Sequence, residues 1–259
     1  MKGLSLKIAQ TIERLIKNKF DNLSLDLLGF KPKLNKEKRI TFSSSKNSIL
    51  SLFLGALDSK SPTKSEEQIL KLMLSVANGY VNALRDKTIS KVLNDVNGYY
   101  IGRNINQKNI ETSDIVNIIE DNMDKAKNHF KMIANSESNK AINTGSALQI
   151  TKMSEQKGEE DPTVFFIVTV DDKTGPEEFV LHLLPDKVTP RLWKLSEVEN
   201  SYHKIGDSRP KVQGLHPHCR CKITYLAKGW GFDNSGHIKY ISPDHDELKE
   251  QRKHYGLPR

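Results

Sequence analysis

Four side chains able to bind a soft metal ion fall within six positions: His216, His218, Cys219 and Cys221, in the run Gly214-Leu215-His216-Pro217-His218-Cys219-Arg220-Cys221. The run holds both cysteines of the 259-residue chain. Zinc takes thiolate and imidazole ligands in a tetrahedral shell, so these four residues have the chemistry of a zinc site. Their spacing departs from the C-x2-C of common zinc knuckles. A C-x-C pair in extended backbone points both sulfurs to one face and calls for partners from elsewhere. His182, His203 and His237 are further candidates for that role. The competing reading is a proline-stiffened turn in which two small cysteines pack as apolar groups. Cysteines two residues apart do not suit a strain-free disulfide with each other. Thiols kept reduced are the simpler expectation.

A second constellation lies in Ala134-Asn135-Ser136-Glu137-Ser138-Asn139-Lys140-Ala141-Ile142-Asn143-Thr144-Gly145. On a helix, Glu137 and Ala141 share a face with Ala134, and small residues there permit close packing. Glu137 is expected to hydrogen-bond into the second half of the chain. A third candidate is the acid cluster Asp244, His245, Asp246 and Glu247. Its simplest reading is that Asp244 caps a final helix and the others are solvated.

The elements that must position these groups change character midway. Apolar residues at near-helical spacing predict a first helix over 4–28, ended by Gly29-Phe30-Lys31-Pro32. Residues 33–48 are basic and serine-rich and read as a linker. Helical periodicity resumes at Ile49–Leu57. Ser61-Pro62-Thr63-Lys64-Ser65-Glu66-Glu67 has the caps, proline and early acids of a helix start. A long amphipathic helix follows through Leu84, and another follows Thr112-Ser113-Asp114. Residues 85–112 are expected to hold a short helix over Ile89–Leu93 and an Asn/Gly-rich loop.

After Gly158-Glu159-Glu160-Asp161-Pro162 the pattern becomes mixed. Thr163–Val170 is dense in β-branched and aromatic residues and predicts a buried strand. Glu178–Leu184 reads as strand or short helix, and Lys222–Leu226 as a strand. Gly231–Ile241 reads as a hairpin, and 244–253 as a last helix. The fold class expected is α+β: a helical region over 1–110 that supplies a docking surface, then a compact module over 111–259 with a small antiparallel sheet.

Composition narrows the function classes. Hydrophobic residues make up 36% and charged residues 28%, with no apolar run of the roughly 20 residues that span a bilayer. The first residues lack an uninterrupted apolar stretch and a cleavage site, so no export signal is expected. The net charge of +8 favours an acidic partner, nucleic acid or an acidic protein surface. Aromatic residues are only 7% and fall mostly in core patterns, which argues against a stacking surface for single strands.

Taken together, these segments resemble the phage Mu F-like head morphogenesis family, the minor head proteins of tailed phages. The family joins a helix carrying A-x-[ST]-E-x-x-x-A-x-N-x-G to a strand, a D-x-[KR]-T turn and a terminal H-P-x-C-R-C. Here the helix piece is Ala134, Ser136, Glu137, Ala141, Asn143 and Gly145. The turn is Asp172, Lys173 and Thr174. The end is His216, Pro217, Cys219, Arg220 and Cys221. Order and rough spacing agree over about residues 112–226. Many members follow the turn with C-x-x-C, which would complete a four-cysteine site. This chain has Gly175-Pro176-Glu177-Glu178 there, so histidines must replace two sulfurs if zinc is bound.

The resemblance implies a structural minor capsid protein, present in the virion at the portal vertex or capsid interior. The portal or major capsid protein, and packaged DNA, would be its partners. It implies no catalytic activity and no membrane contact, and ejection with the DNA is open. Two rivals follow from the residues. One is a basic DNA-binding virion protein. The other is an ADP-ribosyltransferase of the kind some members carry, for which Glu177-Glu178 and Glu159-Glu160 offer acidic pairs without the Ser-Thr-Ser strand such enzymes use.

Overall fold

A computed structural model describes residues 6–28, 49–58, 62–106, 109–198, 204, 206–216 and 219–256. The linker read over 33–48, together with His203, Pro217 and His218, lies outside the described residues. The chain is α+β, with a helical N-terminal region and a small antiparallel sheet. It divides into two compact units, Met1–Ser51 with Lys64–Asn135, and Leu52–Thr63 with Ser136–Arg259. Among the described residues, no helix is long and apolar enough to cross a membrane.

The first unit is built from α1 (Leu6–Leu28), the start of α2 (Ile49–Ala56), α3 (Lys64–Ile105) and the first part of α4 (Thr112–Gln156). Ile12, Ile16 and Phe20 form the buried stripe of α1. Phe20 meets Phe130 of α4 edge to face, with ring centroids 6.2 Å apart, an arrangement that adds to area burial. The expected break at 85–112 is not there, because α3 continues to Ile105. Its stripe of Leu70, Leu74, Ala77 and Val81 is carried on by Ile89, Val92 and Val96. Across the polar stretch between them, Thr88 Oγ1 donates to the carbonyl of Leu84 one turn back, which keeps its hydroxyl satisfied inside the helix. The helix stops near Asp114 at the start of α4, whose carboxylate accepts from Tyr99 and Arg103 at 2.8 and 2.7 Å.

The second unit carries the motif residues. Its sheet has the order β2-β1-β3, all antiparallel, with β1 at Thr163–Ile167, β2 at Trp193–Lys194 and β3 at Lys222–Tyr225. The predicted strand ends three residues early, at Ile167. β1 is central and buried on both faces, which is why its sequence is a continuous apolar run rather than an alternating one. Val164 and Phe166 face a core that includes Ile150, Trp193, Val212, Ile223 and both cysteines. Phe165 faces a second core with Leu192, Leu226, Phe232 and Leu248.

The segment left open between strand and helix is a short helix, α5 (Pro176–His182). The hairpin forms as β4 (Trp230–Phe232) and β5 (Ile238–Tyr240). The last helix, α6 (Glu247–Tyr255), is capped by Asp246, whose side chain accepts from the Lys249 N–H; the cap is not Asp244. Glu247 and His245 are not simply solvated either, since they pair at 2.7 Å. Gln251 fastens α6 to the segment before β2, accepting from Leu192 N–H and donating to Pro190 carbonyl.

Candidate functional site

The site is assembled from three stretches of the second unit: α4 after residue 136, the loop and helix at 169–182, and the run 214–223. Each is held by polar contacts that the sequence leaves implicit.

Asn143 is fully buried on α4. Its carboxamide donates to the carbonyl of Cys221 at 2.9 Å and accepts from the N–H of Ile223 at 3.2 Å. In extended backbone the carbonyl of one residue and the N–H two residues on point to the same side. β3 is an edge strand of its sheet, and this is the edge that β1 leaves uncovered. Asn143 therefore stands where a neighbouring strand would, offering one donor and one acceptor. Asn139, one turn earlier, adds a second donor to the Cys221 carbonyl at 3.3 Å. Ala141 and Gly145 flank this contact and are buried. A side chain at Gly145 would lie 2.6 Å from the Phe53 carbonyl oxygen, so α2 and α4 approach there only because Gly145 has none. Glu137 is buried, and its described partner is Lys140 on the same helix at 2.6 Å.

The turn before α5 is organised by Asp171, one place before the Asp172 singled out by the sequence. Asp171 accepts from the Lys173 N–H at 2.9 Å and from Arg220 at 2.7 Å. Thr174 Oγ1 closes the turn, accepting from Asp171 N–H and donating to Thr169 carbonyl, both at 2.8 Å. Asp172 is exposed. Arg220 thus links the 169–174 turn to the stretch between the cysteines. The Arg220 guanidinium, with the Lys173 N–H, holds the Asp171 carboxyl down to about 2 from an ordinary 3.8.

A depressed carboxyl stabilises the fold at pH values above its unfolded value and loses that contribution as pH falls toward its folded one. We expect urea midpoints of the second unit to fall between pH 5 and pH 2, and to fall less in Asp171→Asn. Both tryptophans, Trp193 and Trp230, lie in this unit, so their fluorescence reports on it selectively. Parallel curves for the two proteins would show that the pair contributes nothing.

The donors converge at the end of α5. Glu178, Cys219 and Cys221 are all buried and bring one donor atom each within 4.8 Å of one another. Glu178 Oε1 lies 3.1 Å from Cys221 Sγ and 3.8 Å from Cys219 Sγ. Its Oε2 accepts from the Gly175 N–H at 2.7 Å and lies 3.3 Å from His216 Nε2. Burial pushes the Glu178 carboxyl up. The Gly175 N–H, the Cys221 thiol and His216 outweigh it and leave the group below the usual carboxylate range. The hydrogen bond between the thiols pulls Cys219 down and, with burial and Glu178, pushes Cys221 up. Both cysteines are free.

The loop that delivers His216 and Cys219 turns at Gly214, whose φ of +87° suits glycine. A side chain there would also stand 3.2 Å from Cys219 Cβ.

Of the four ligands read from the sequence, His216, Cys219 and Cys221 are brought to this site, and His218 lies outside the described residues. The residue that reading missed is Glu178. His182 and His237 are not the partners. His182 is fully buried and stacks on Phe166 with centroids 4.2 Å apart, and His237 is exposed beside Asp233 in the hairpin. Of the acidic pairs, Glu178 is buried among the thiols and Glu159 accepts from Tyr225 at 2.7 Å. Comparisons of the chain with family models, with curated proteins and with solved structures found no match.

Proposed function

We propose that this chain is a minor head protein of a tailed bacteriophage, of the Mu F-like kind, with a structural rather than catalytic role. The observation that supports the reading is the meeting of motif residues far apart in sequence. Asn143 bonds the backbone on either side of Lys222, 78 and 80 residues on. The turn containing Lys173 and Thr174 is tied through Asp171 to Arg220, 49 residues on. Gly145 supplies the close approach to α2. A short motif in which Asn143, Gly145, Thr174 and Arg220 each tie separate stretches of one small module is what a structural signature requires. Of the glutamates open to a transferase reading, Glu178 and Glu159 are engaged in internal contacts.

In this reading the protein sits in the virion, at the portal vertex or the inner capsid surface, with the portal or major capsid protein as partner. The net charge of +8 favours an acidic surface or packaged DNA. It also favours the second reading, a basic virion protein whose main partner is DNA.

Mass spectrometry of purified particles and proheads tests both. The protein is expected in each at low copy number, retained after nuclease treatment of opened particles. Release by nuclease would assign it to DNA instead, and absence from particles would sink both readings.

A further inference from the structure

We propose that Cys219, Cys221, Glu178 and His216 bind one zinc-class divalent ion that pins the 214–221 loop and β3 to the start of α5. The inference stands apart from the virion reading, since it rests on the second unit alone.

The first argument is the donor set. Two thiols, an imidazole and a carboxylate are all zinc ligands, and the two sulfurs select against the all-oxygen preference of calcium and magnesium. The second is distance. Ligands at about 2.0–2.3 Å from a tetrahedral zinc stand roughly 3.3–3.8 Å from one another. Glu178 Oε1 lies 3.1 and 3.8 Å from the two sulfurs, and its Oε2 lies 3.3 Å from His216 Nε2. The three buried donors lie within 4.8 Å of one another and need only small shifts, whereas His216, outside that group on the other carboxylate oxygen, must swing inward to take the fourth position.

The third argument is charge. Glu178 is only 5% exposed. Among the described residues its carboxylate is met by a backbone N–H, two thiols and a histidine, and Arg220 acts on it only at longer range, without a direct ion pair. Metal binding would require the thiols beside this carboxylate to ionise, and the cluster would then gather negative charge that a cation balances. Arg220 pairs with Asp171, and Lys140 with Glu137.

The last argument is support. Metal ligands hold their geometry through the contacts behind them. Here the Cys221 carbonyl is fixed by Asn139 and Asn143, the Glu178 carboxylate by the Gly175 N–H, and the Cys219 N–H by the His216 carbonyl at 3.0 Å. The cysteines and Glu178 are buried, so the site is of the closed, structural type.

The test is metal content and cobalt spectroscopy on the full chain, purified under reducing conditions. We expect one zinc per chain. Cobalt substitution should give thiolate-to-metal charge-transfer absorption with the intense visible bands of tetrahedral coordination. Cys221→Ser should lose about half of the charge-transfer band, and Cys219→Ser/Cys221→Ser all of it. Glu178→Gln and His216→Ala should retain the band and weaken cobalt binding about tenfold or more, at least the loss seen for an outer-sphere partner. His237→Ala should bind as the wild type does. Tryptophan fluorescence checks that each variant is folded, and the wild-type titration decides the matter if one is not. No charge-transfer band with cobalt in excess over reduced protein would overturn the proposal. So would a band that survives in the double cysteine variant, or unchanged affinity in Glu178→Gln.

Discussion

Asn143→Leu is expected to lower the stability of the second unit by about 2–4 kcal/mol, from two buried backbone groups at roughly 1–3 kcal/mol each, one of them partly compensated. Leucine is close to asparagine in size, so the packing change is small and the polar loss dominates. The Ile223 N–H loses its acceptor outright. The Cys221 carbonyl keeps the weaker bond from Asn139 at 3.3 Å. Asn143→Asp separates the two contributions. Aspartate still accepts from Ile223 but turns an oxygen toward the Cys221 carbonyl, so it should be at least as damaging as leucine at neutral pH. Urea titration followed by tryptophan fluorescence gives the stability, and amide exchange at Ile223 gives the local effect. A leucine variant within 0.5 kcal/mol of wild type would mean that β3 does not depend on this carboxamide.

That prediction rests on a contact between residues 78 to 80 positions apart, and it marks where sequence reading stops. The local elements were legible because each is written in a single period. The apolar run Val164-Phe165-Phe166 is the part of a strand buried on both faces, and the stripe Leu70, Leu74, Ala77, Val81 is one side of a helix. The reading failed where polarity had a tertiary purpose. Residues 85–112 read as a short helix over Ile89–Leu93 and a loop, yet α3 runs on to Ile105 because the buried stripe resumes at Ile89. Asp171 and Asp172 are equivalent as letters, and only the position of Arg220 decides that Asp171 anchors the turn.

The candidate site was half legible for the same reason. Cys219 and Cys221 announce themselves by type and spacing. Glu178 does not, because a glutamate in the first turn of a short helix is ordinary surface chemistry. Its signal was positional: Gly175-Pro176-Glu177-Glu178 follows the turn directly, and a residue at its end had to face the cysteines if that turn and the Cys-Arg-Cys run were neighbours. The 2.7 Å pair between Asp171 and Arg220 makes them neighbours.

Gly145→Ala should be destabilising by about 1–3 kcal/mol, the usual cost of overpacking a tight contact. This sign is opposite to the helix-propensity expectation, since alanine for glycine inside a helix normally gains about 1 kcal/mol. The reason is the backbone of α2. An added Cβ would sit 2.6 Å from the Phe53 carbonyl oxygen, 2.9 Å from Ala56 Cβ and 3.2 Å from Leu57 N. None of these is the end of a flexible side chain, so α2 must move away from α4. Phe53 and Leu57 are fully buried, so that movement opens a packed core. Gly98→Ala in α3 is the control. Nothing lies within 4 Å of a Cβ there, and propensity alone predicts a gain of about 0.5–1 kcal/mol. Measured by chemical denaturation, with tryptophan fluorescence for Gly145 and helical circular dichroism for Gly98, the two substitutions should move stability in opposite directions. A gain at Gly145 would show that α2 yields without cost, and the close approach would then be incidental to the fold.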